Sequence, residues 1–153
     1  LTSIVRCDRV CETVRREIAG DSAVLMRAWI DPAADPIREK ELDTIAAHAP
    51  VWETRWRLPE DPSKGLTETY RINRDIVNYF FWYYGTLALE RHGGERGGPW
   101  RKALEAALLP NQVKDGEFAG SWEPVDPWGM LSGRVYSTAY SVMSLQVPHE
   151  EHR

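Results

Sequence analysis

The sequence has little of several features that mark familiar protein classes. Two cysteines in 153 residues are too few for a disulfide framework. No stretch approaches the ~18 apolar residues of a membrane span, so no transmembrane segment is predicted. Basic residues are not in excess, because the formal net charge is −4, and this argues against a general nucleic-acid binder. The length and a hydrophobic content of 42% predict one ordinary globular domain, residues 1–153.

Aromatic residues are abundant instead, with seven Trp and six Tyr in a short chain. The chain also begins with Leu1 and not with Met. We therefore expect it to be a portion of a longer protein, and the later part of the sequence indicates the C-terminal portion.

The spacing of apolar residues, together with capping residues, glycine and proline at the helix ends, predicts an all-α structure with long loops. Helices are predicted over residues 2–19, 23–30, 36–48, 73–91, 100–109 and 133–147, with loops at 51–70 and 111–132. The helix at 73–91 is apolar on almost every side, so we expect it to be buried on almost every side.

Potential catalytic and metal-binding residues are scattered. Each of the main candidate acids stands alone beside Pro, Gly or Ser, as turn and cap residues do: Asp21, Asp31, Asp35, Asp61, Asp115 and Asp126. Cys7 and Cys11 lie four apart on one predicted helix. They are either half of a metal or redox site or buried structural thiols, and the second hypothesis is better supported. His48 and His92 are predicted at helix C-termini. We predict no metal site and no cofactor.

The aromatic helix is the strongest candidate for function. Tyr79, Trp82 and Tyr83 share one face of it, and Tyr136 and Tyr140 lie four apart on the last predicted helix. One interpretation is core packing between helices. The other is that these five residues line a cavity for an apolar ligand.

Arg134, at the start of the last predicted helix, is the best-placed cation for a diphosphate or carboxylate. It can equally pair with Asp126 or Glu123 across the preceding loop.

The segment 108–122 resembles the QW repeat of squalene and hopene cyclases. In that repeat a Gln after an outer helix is followed by Gly-x-aromatic. Here Gln112 is followed by Gly116-Glu117-Phe118 and again by Gly120-Ser121-Trp122. The glycines suit tight turns, the aromatic residue can cover the helix end, and the Gln side chain can satisfy terminal backbone groups.

The segments 83–89 and 134–145 resemble the inner helices of the same superfamily, the α/α-toroids, which also contains the protein prenyltransferases. The resemblance spans residues 70–147, with repeat-like segments 71–110 and 111–147. This part of the chain is similar to squalene-cyclase-like repeat proteins of bacteria. The resemblance implies inner and outer helices in a ring of six pairs. The chain supplies about three pairs, so a missing N-terminal half or a second copy is expected to complete the ring.

The family's catalytic groups are absent from the matching positions. The Asp-x-Asp-Asp acid motif of hopene-type cyclases does not occur. The zinc ligands of prenyltransferases are replaced, with Ser137 at the His position and residues 76–78 at the Asp-x-Cys position.

The resemblance therefore implies a terpenoid-type domain that binds an isoprenoid-like chain and is not catalytic alone; if the full-length protein is an enzyme, the acid comes from the missing half. The alternative is a structural or protein-interaction scaffold. A third possibility, carbohydrate processing, ranks last because no carboxylate pair accompanies Trp52, Trp56 or Trp128.

Overall fold

The computed structural model describes residues 36–55, 57, 60–61, 63, 75–92, 94–126 and 128–147. Within these ranges it contains four α-helices: α1 (Pro36–Ala47), α2 (Tyr79–His92), α3 (Gly97–Leu108) and α4 (Gly129–Gln146). Two 3₁₀ turns, Gly94–Arg96 and Leu109–Asn111, flank α3.

The predicted all-α class is confirmed for the described residues, which form no strand. None of the helices described there has the length and apolar character needed to cross a membrane. The helices predicted at 2–19 and 23–30, with Cys7 and Cys11, lie outside the described residues.

Helix α2 lies at the centre and contacts the other three helices. Its two ends pack into different clusters. Ala88 and Leu89 pack with Leu42 and Ile45 of α1 and with Trp100 of α3. Tyr79 and Trp82, in the first turns of α2, pack in a second cluster whose other buried members are Val77, Leu104, Ala107, Leu108 and Trp122. The sequence of α2 is apolar on most sides because three helices pack against it, although Phe80, Tyr83 and Tyr84 remain partly exposed.

Helix α2 begins six residues later than predicted. Asn78 is its N-cap: the Asn78 Oδ1 accepts a 3.0 Å hydrogen bond from the Phe81 backbone amide, and the Asn78 carbonyl accepts the first helical bond from Trp82. Asn at this position satisfies an amide that has no partner within the helix. The apolar Ile76 and Val77 are buried ahead of the cap in non-helical backbone, which is why periodicity alone extended the helix too far.

Helix α4 is broken at Gly133, where φ is 73° and ψ is −171°. Only glycine adopts this conformation without strain. A first turn at residues 129–132 therefore precedes the straight segment 134–146. The helix was predicted to begin at residue 133, and the loop at 111–132 was accordingly predicted too long. Three serines spaced four and three residues apart, Ser137, Ser141 and Ser144, are buried on one face of the straight segment.

The C-terminal end of α4 is bound by a side chain of α3. The guanidinium of Arg101 donates hydrogen bonds to the carbonyl oxygens of Leu145 at 2.6 Å and Val147 at 2.9 Å, with a longer contact of 3.4 Å to Ser144. The last carbonyls of a helix have no partner in the helix itself and carry its partial negative charge. Arg101 thus satisfies both the hydrogen bonding and the electrostatics of this end.

Candidate functional site

The loop between α3 and α4 contains Gln112, Gly116 and Gly120 and folds back on itself. Val113 donates to the carbonyl of Ser121 and Gly120 donates to the carbonyl of Val113, both at 2.8 Å. Gly116 and Gly120 have φ values of 81° and 86°, in the region that favours glycine. The predicted use of these two glycines in tight turns is confirmed.

The end of α3 is covered by the aromatic residue of this loop, as the motif predicted. Trp122 is buried, and its Nε1 donates a 2.8 Å hydrogen bond to the carbonyl of Leu108. The expected role of Gln112 was wrong, because its Nε2 donates to the carbonyl of Gly120 inside the loop. The side chains of Asn111 and Lys114 satisfy the carbonyls at the end of α3 in its place.

Helices α2 and α4 bring five aromatic rings together into one half-exposed surface. We call it the aromatic surface; its members are Phe80, Tyr83, Tyr84, Tyr136 and Tyr140. Tyr140 joins the two helices, with ring centroids 5.6 Å from Tyr83 and 5.9 Å from Phe80. The ring centroid of Tyr136 lies 4.8 Å from that of Tyr140, and the ring centroid of Tyr84 lies 4.6 Å from that of Phe80. The rings contact one another at tilted or edge-on angles, the arrangements that aromatic pairs favour.

Three of the predicted cavity-lining residues, Tyr83, Tyr136 and Tyr140, thus lie side by side. Two others, Tyr79 and Trp82, are buried in the second core cluster. The Tyr79 ring contacts Trp52 at 6.3 Å, and its hydroxyl donates a 2.7 Å hydrogen bond to the carbonyl of Glu123. Trp52 is accordingly a half-buried packing residue.

Arg134, the sixth predicted binding residue, is engaged within the protein. Its guanidinium binds both carboxylate oxygens of Glu123 at 2.7 Å, donates to Ser121 Oγ at 3.1 Å, and lies 4.3 Å above the ring of Phe118. Both carboxylate bonds come from the one nitrogen Nη2, while Nη1 serves Ser121, so this is a charge-assisted ion pair and not the two-nitrogen fork. The structure therefore realises the pairing of Arg134 with Glu123, one of the two partners that the sequence suggested.

Asp126 is the buried acid of the site, with no solvent exposure. Its Oδ1 accepts a 2.6 Å hydrogen bond from the amide of Gly129, and its Oδ2 accepts one of 3.2 Å from the hydroxyl of Tyr136. Burial raises the pKa of Asp126 to about 6, although the Gly129 amide, the Tyr136 hydroxyl and the Tyr79 amide act to lower it. The bond from the Gly129 amide, three residues on, is that of a turn residue, as predicted for Asp126, whereas the N-cap position of α4 is occupied by Trp128.

The phenol of Tyr136 remains a hydrogen-bond donor at neutral pH. Burial, followed by the neighbouring charge of Asp126, raises the pKa of Tyr136 above its ordinary range. Burial likewise raises the pKa of Tyr140, together with the effects of Tyr84 and Tyr83. Tyr136 and Tyr140 therefore contribute apolar ring area with uncharged hydroxyl groups to the aromatic surface.

The positions that correspond to zinc ligands in the resembling family serve packing and hydrogen bonding. Ser137 is buried, and its Oγ donates to the carbonyl of Trp122 at 2.7 Å. Ile76 and Val77 are buried, and Asn78 caps α2. Among the described residues no group of three or more His, Cys, Asp or Glu side chains converges on a possible metal position.

Phe80 and Tyr84 of the aromatic surface were not proposed as site residues from the sequence. The signal was present, since Phe80 and Tyr84 lie four apart on α2 and neighbour Tyr83. The burial of Asp126 had no such signal, because an Asp before Pro127 is typical of an exposed turn.

Comparison of the chain with protein-family models, with curated proteins and with solved structures finds no match in any of the three.

Proposed function

We propose that this chain is a repeat domain of the α/α-toroid type that binds an apolar, isoprenoid-like chain on its aromatic surface. The observation that carries the proposal is the continuity of that surface. Five rings from two helices are linked by successive ring contacts, and all five remain partly exposed. An aromatic area of this size with few polar atoms suits an apolar ligand.

The toroid part of the proposal is supported by the helix arrangement. Helices α2 and α4, the two that resemble inner helices, form the largest helix–helix contact, and α3 contacts both. The loop after α3 closes the end of that helix through Trp122, as the repeat motif requires. Alternation of inner and outer helices predicts these contacts, because successive inner helices are neighbours in a ring.

The described residues favour ligand binding without catalysis. Arg134 is neutralised by Glu123, so it offers little positive charge to a diphosphate. The Asp126 carboxyl has both oxygens engaged by protein donors and is closed to solvent. The chain should therefore bind an isoprenoid and neither cyclise squalene nor transfer a prenyl group.

Titration of the full chain with geranylgeraniol, followed by quenching of its intrinsic fluorescence, tests the proposal. We expect saturable binding that Tyr83→Ala and Tyr140→Ala each weaken about tenfold, the effect of losing one to two kcal/mol of ring contact. Leu131→Ala is the matched control, because Leu131 is 83% exposed and lies outside the aromatic surface. Absence of saturation, or an equal loss in Leu131→Ala, would refute the proposal.

The second candidate function is a protein-interaction scaffold, and a separate feature of α4 favours it. Leu131, Val135 and Val142 are 83%, 83% and 37% exposed. Val135 and Val142 lie seven residues apart on one face of the straight segment, as docking helices require. On this hypothesis the face binds a second copy of the chain. Light scattering should then give a dimer for the wild type and a monomer for Val135→Ser; a wild-type monomer at high concentration would exclude it.

A further inference from the structure

Asp126 spans the break in α4. Its Oδ1 accepts a hydrogen bond from the amide of Gly129, in the turn before Gly133. Its Oδ2 accepts one from the hydroxyl of Tyr136, in the segment after Gly133. The backbone at Gly133 departs from helical geometry, so the regular helix is interrupted between these two parts. One carboxylate therefore connects both sides of the break.

The same carboxylate reaches the first turn of α2. The ring of Tyr79, in that turn, meets the ring of Tyr136 edge-on, with centroids 6.4 Å apart. The Tyr79 amide is also among the groups that act to lower the pKa of Asp126. Asp126 and Tyr136 thus fix α4 against the end of α2 from which the aromatic surface begins.

Among the charged and titratable groups that surround it, Asp126 is the one that changes charge near neutral pH. Tyr79 and Tyr136 face it from α2 and α4, and burial raises the pKa of both phenols above their ordinary range. Glu123 and Arg134, on the loop and on α4, are bound to each other. Burial brings the pKa of Asp126 itself to about 6.

We propose that Asp126 is a positioning residue for the aromatic surface: by accepting the Tyr136 hydroxyl across the break at Gly133, the ionised carboxylate holds the Tyr136 ring against Tyr140 for a ligand. This inference rests on the proposed function for its ligand. A hydrogen bond to a carboxylate is about twice as strong as a neutral one, so protonation of Asp126 loosens the ring. A surface that is less well organised before binding has a lower affinity.

The pH dependence of geranylgeraniol binding by the full chain tests this role. We expect the dissociation constant to rise about fivefold between pH 7.5 and pH 5, the effect of losing about 1 kcal/mol of hydrogen bonding, with a midpoint near pH 6. Tyr136→Phe keeps the ring and removes the hydroxyl, so it should bind weakly at both pH values with no such change. Glu123→Gln, which removes the other nearby carboxylate, should keep the pH response.

A second measurement needs no ligand and separates this inference from the proposed function. The near-ultraviolet circular dichroism of the free wild-type protein should change with a midpoint near pH 6, and that of Tyr136→Phe should not. If geranylgeraniol binds at no pH, the proposed function fails and the dichroism alone decides the role of Asp126. A flat wild-type dichroism titration, or the same transition in Tyr136→Phe, overturns the inference.

Discussion

The indole nitrogen of Trp100 donates a 2.9 Å hydrogen bond to the hydroxyl of Thr86, and both residues are fully buried. The same hydroxyl donates at 2.6 Å to the carbonyl of Trp82, one turn earlier in α2. A buried indole N–H needs an acceptor, and Thr86 supplies it at the contact between α2 and α3.

Replacing Thr86 with Val keeps the shape of the side chain and removes the acceptor. The Trp100 N–H is then buried without a partner, so we expect a loss of about 1–3 kcal/mol in the free energy of unfolding. Urea denaturation monitored by tryptophan fluorescence measures it. Thr44→Val is the matched control, because Thr44 makes the same bond to a carbonyl four residues earlier but on the exposed side of α1. A loss no larger than that of the control would mean that the buried bond contributes little.

Gly85 allows α2 to approach Trp100. A Cβ atom at Gly85 would lie 2.6 Å and 2.8 Å from two carbons of the indole ring, which is itself packed in the core. We expect Gly85→Ala to lower the free energy of unfolding by about 1–3 kcal/mol through overpacking, despite the better helix propensity of alanine.

The control for Gly85 is Gly98→Ala in the first turn of α3. A Cβ there meets no atom within 4 Å, so the change should be neutral or stabilising by up to about 1 kcal/mol. Equal stabilities of the two alanine variants in thermal denaturation would contradict the predicted contact.

Arg101 should control the stability of the last turn of α4. We expect Arg101→Met to lower the free energy of unfolding by about 1–3 kcal/mol, because the carbonyls of Leu145 and Val147 lose a charged donor. Hydrogen exchange should accelerate most in the C-terminal turn of α4. Lys102→Met, at a neighbouring exposed position, controls for the loss of one positive charge. Uniform acceleration across α2 and α4 would indicate a global effect and not a capping one.

The positions of the helices were predicted better than the contacts that individual side chains make. Proline at the helix ends, together with apolar spacing, predicted α1, α3 and the straight part of α4. Apolar spacing alone placed the start of α2 too early, since Ile76 and Val77 are apolar residues buried outside a helix. Gln112 was expected to bind backbone groups at the helix end and binds the carbonyl of Gly120 inside the loop, because the acceptor it meets depends on the path of the loop.

The candidate site shows the same division. The spacing of Tyr136 and Tyr140 on one helix predicted their contact, since residues four apart are neighbours on a helix. Their contact with Tyr83 of α2 depends on how two helices pack, which no local pattern specifies. Asp126 was predicted to be a turn residue, and its burial follows from the helices that close around the turn.

The buried carboxyl of Asp126 should also make stability depend on pH. Its pKa is about 6 in the folded protein and about 3.9 in an unfolded chain. The folded state therefore binds the proton more tightly, so the contribution of this group to stability is complete below about pH 4 and is lost as the pH rises through 6. A difference of two units in the pKa of Asp126 corresponds to a change of at most about 3 kcal/mol in the free energy of unfolding.

Comparison with Asp126→Asn isolates this contribution, because the amide does not titrate and other carboxyl groups cancel in the difference. The stability of the wild type minus that of Asp126→Asn should be larger at pH 4 than at pH 7, by up to about 3 kcal/mol, in urea denaturation at each pH. Asp115→Asn, an exposed position in the same loop, controls for the change in net charge. A difference that is constant with pH, or that grows towards pH 7, would show that the folded protein does not hold a proton on Asp126 more tightly than the unfolded chain does.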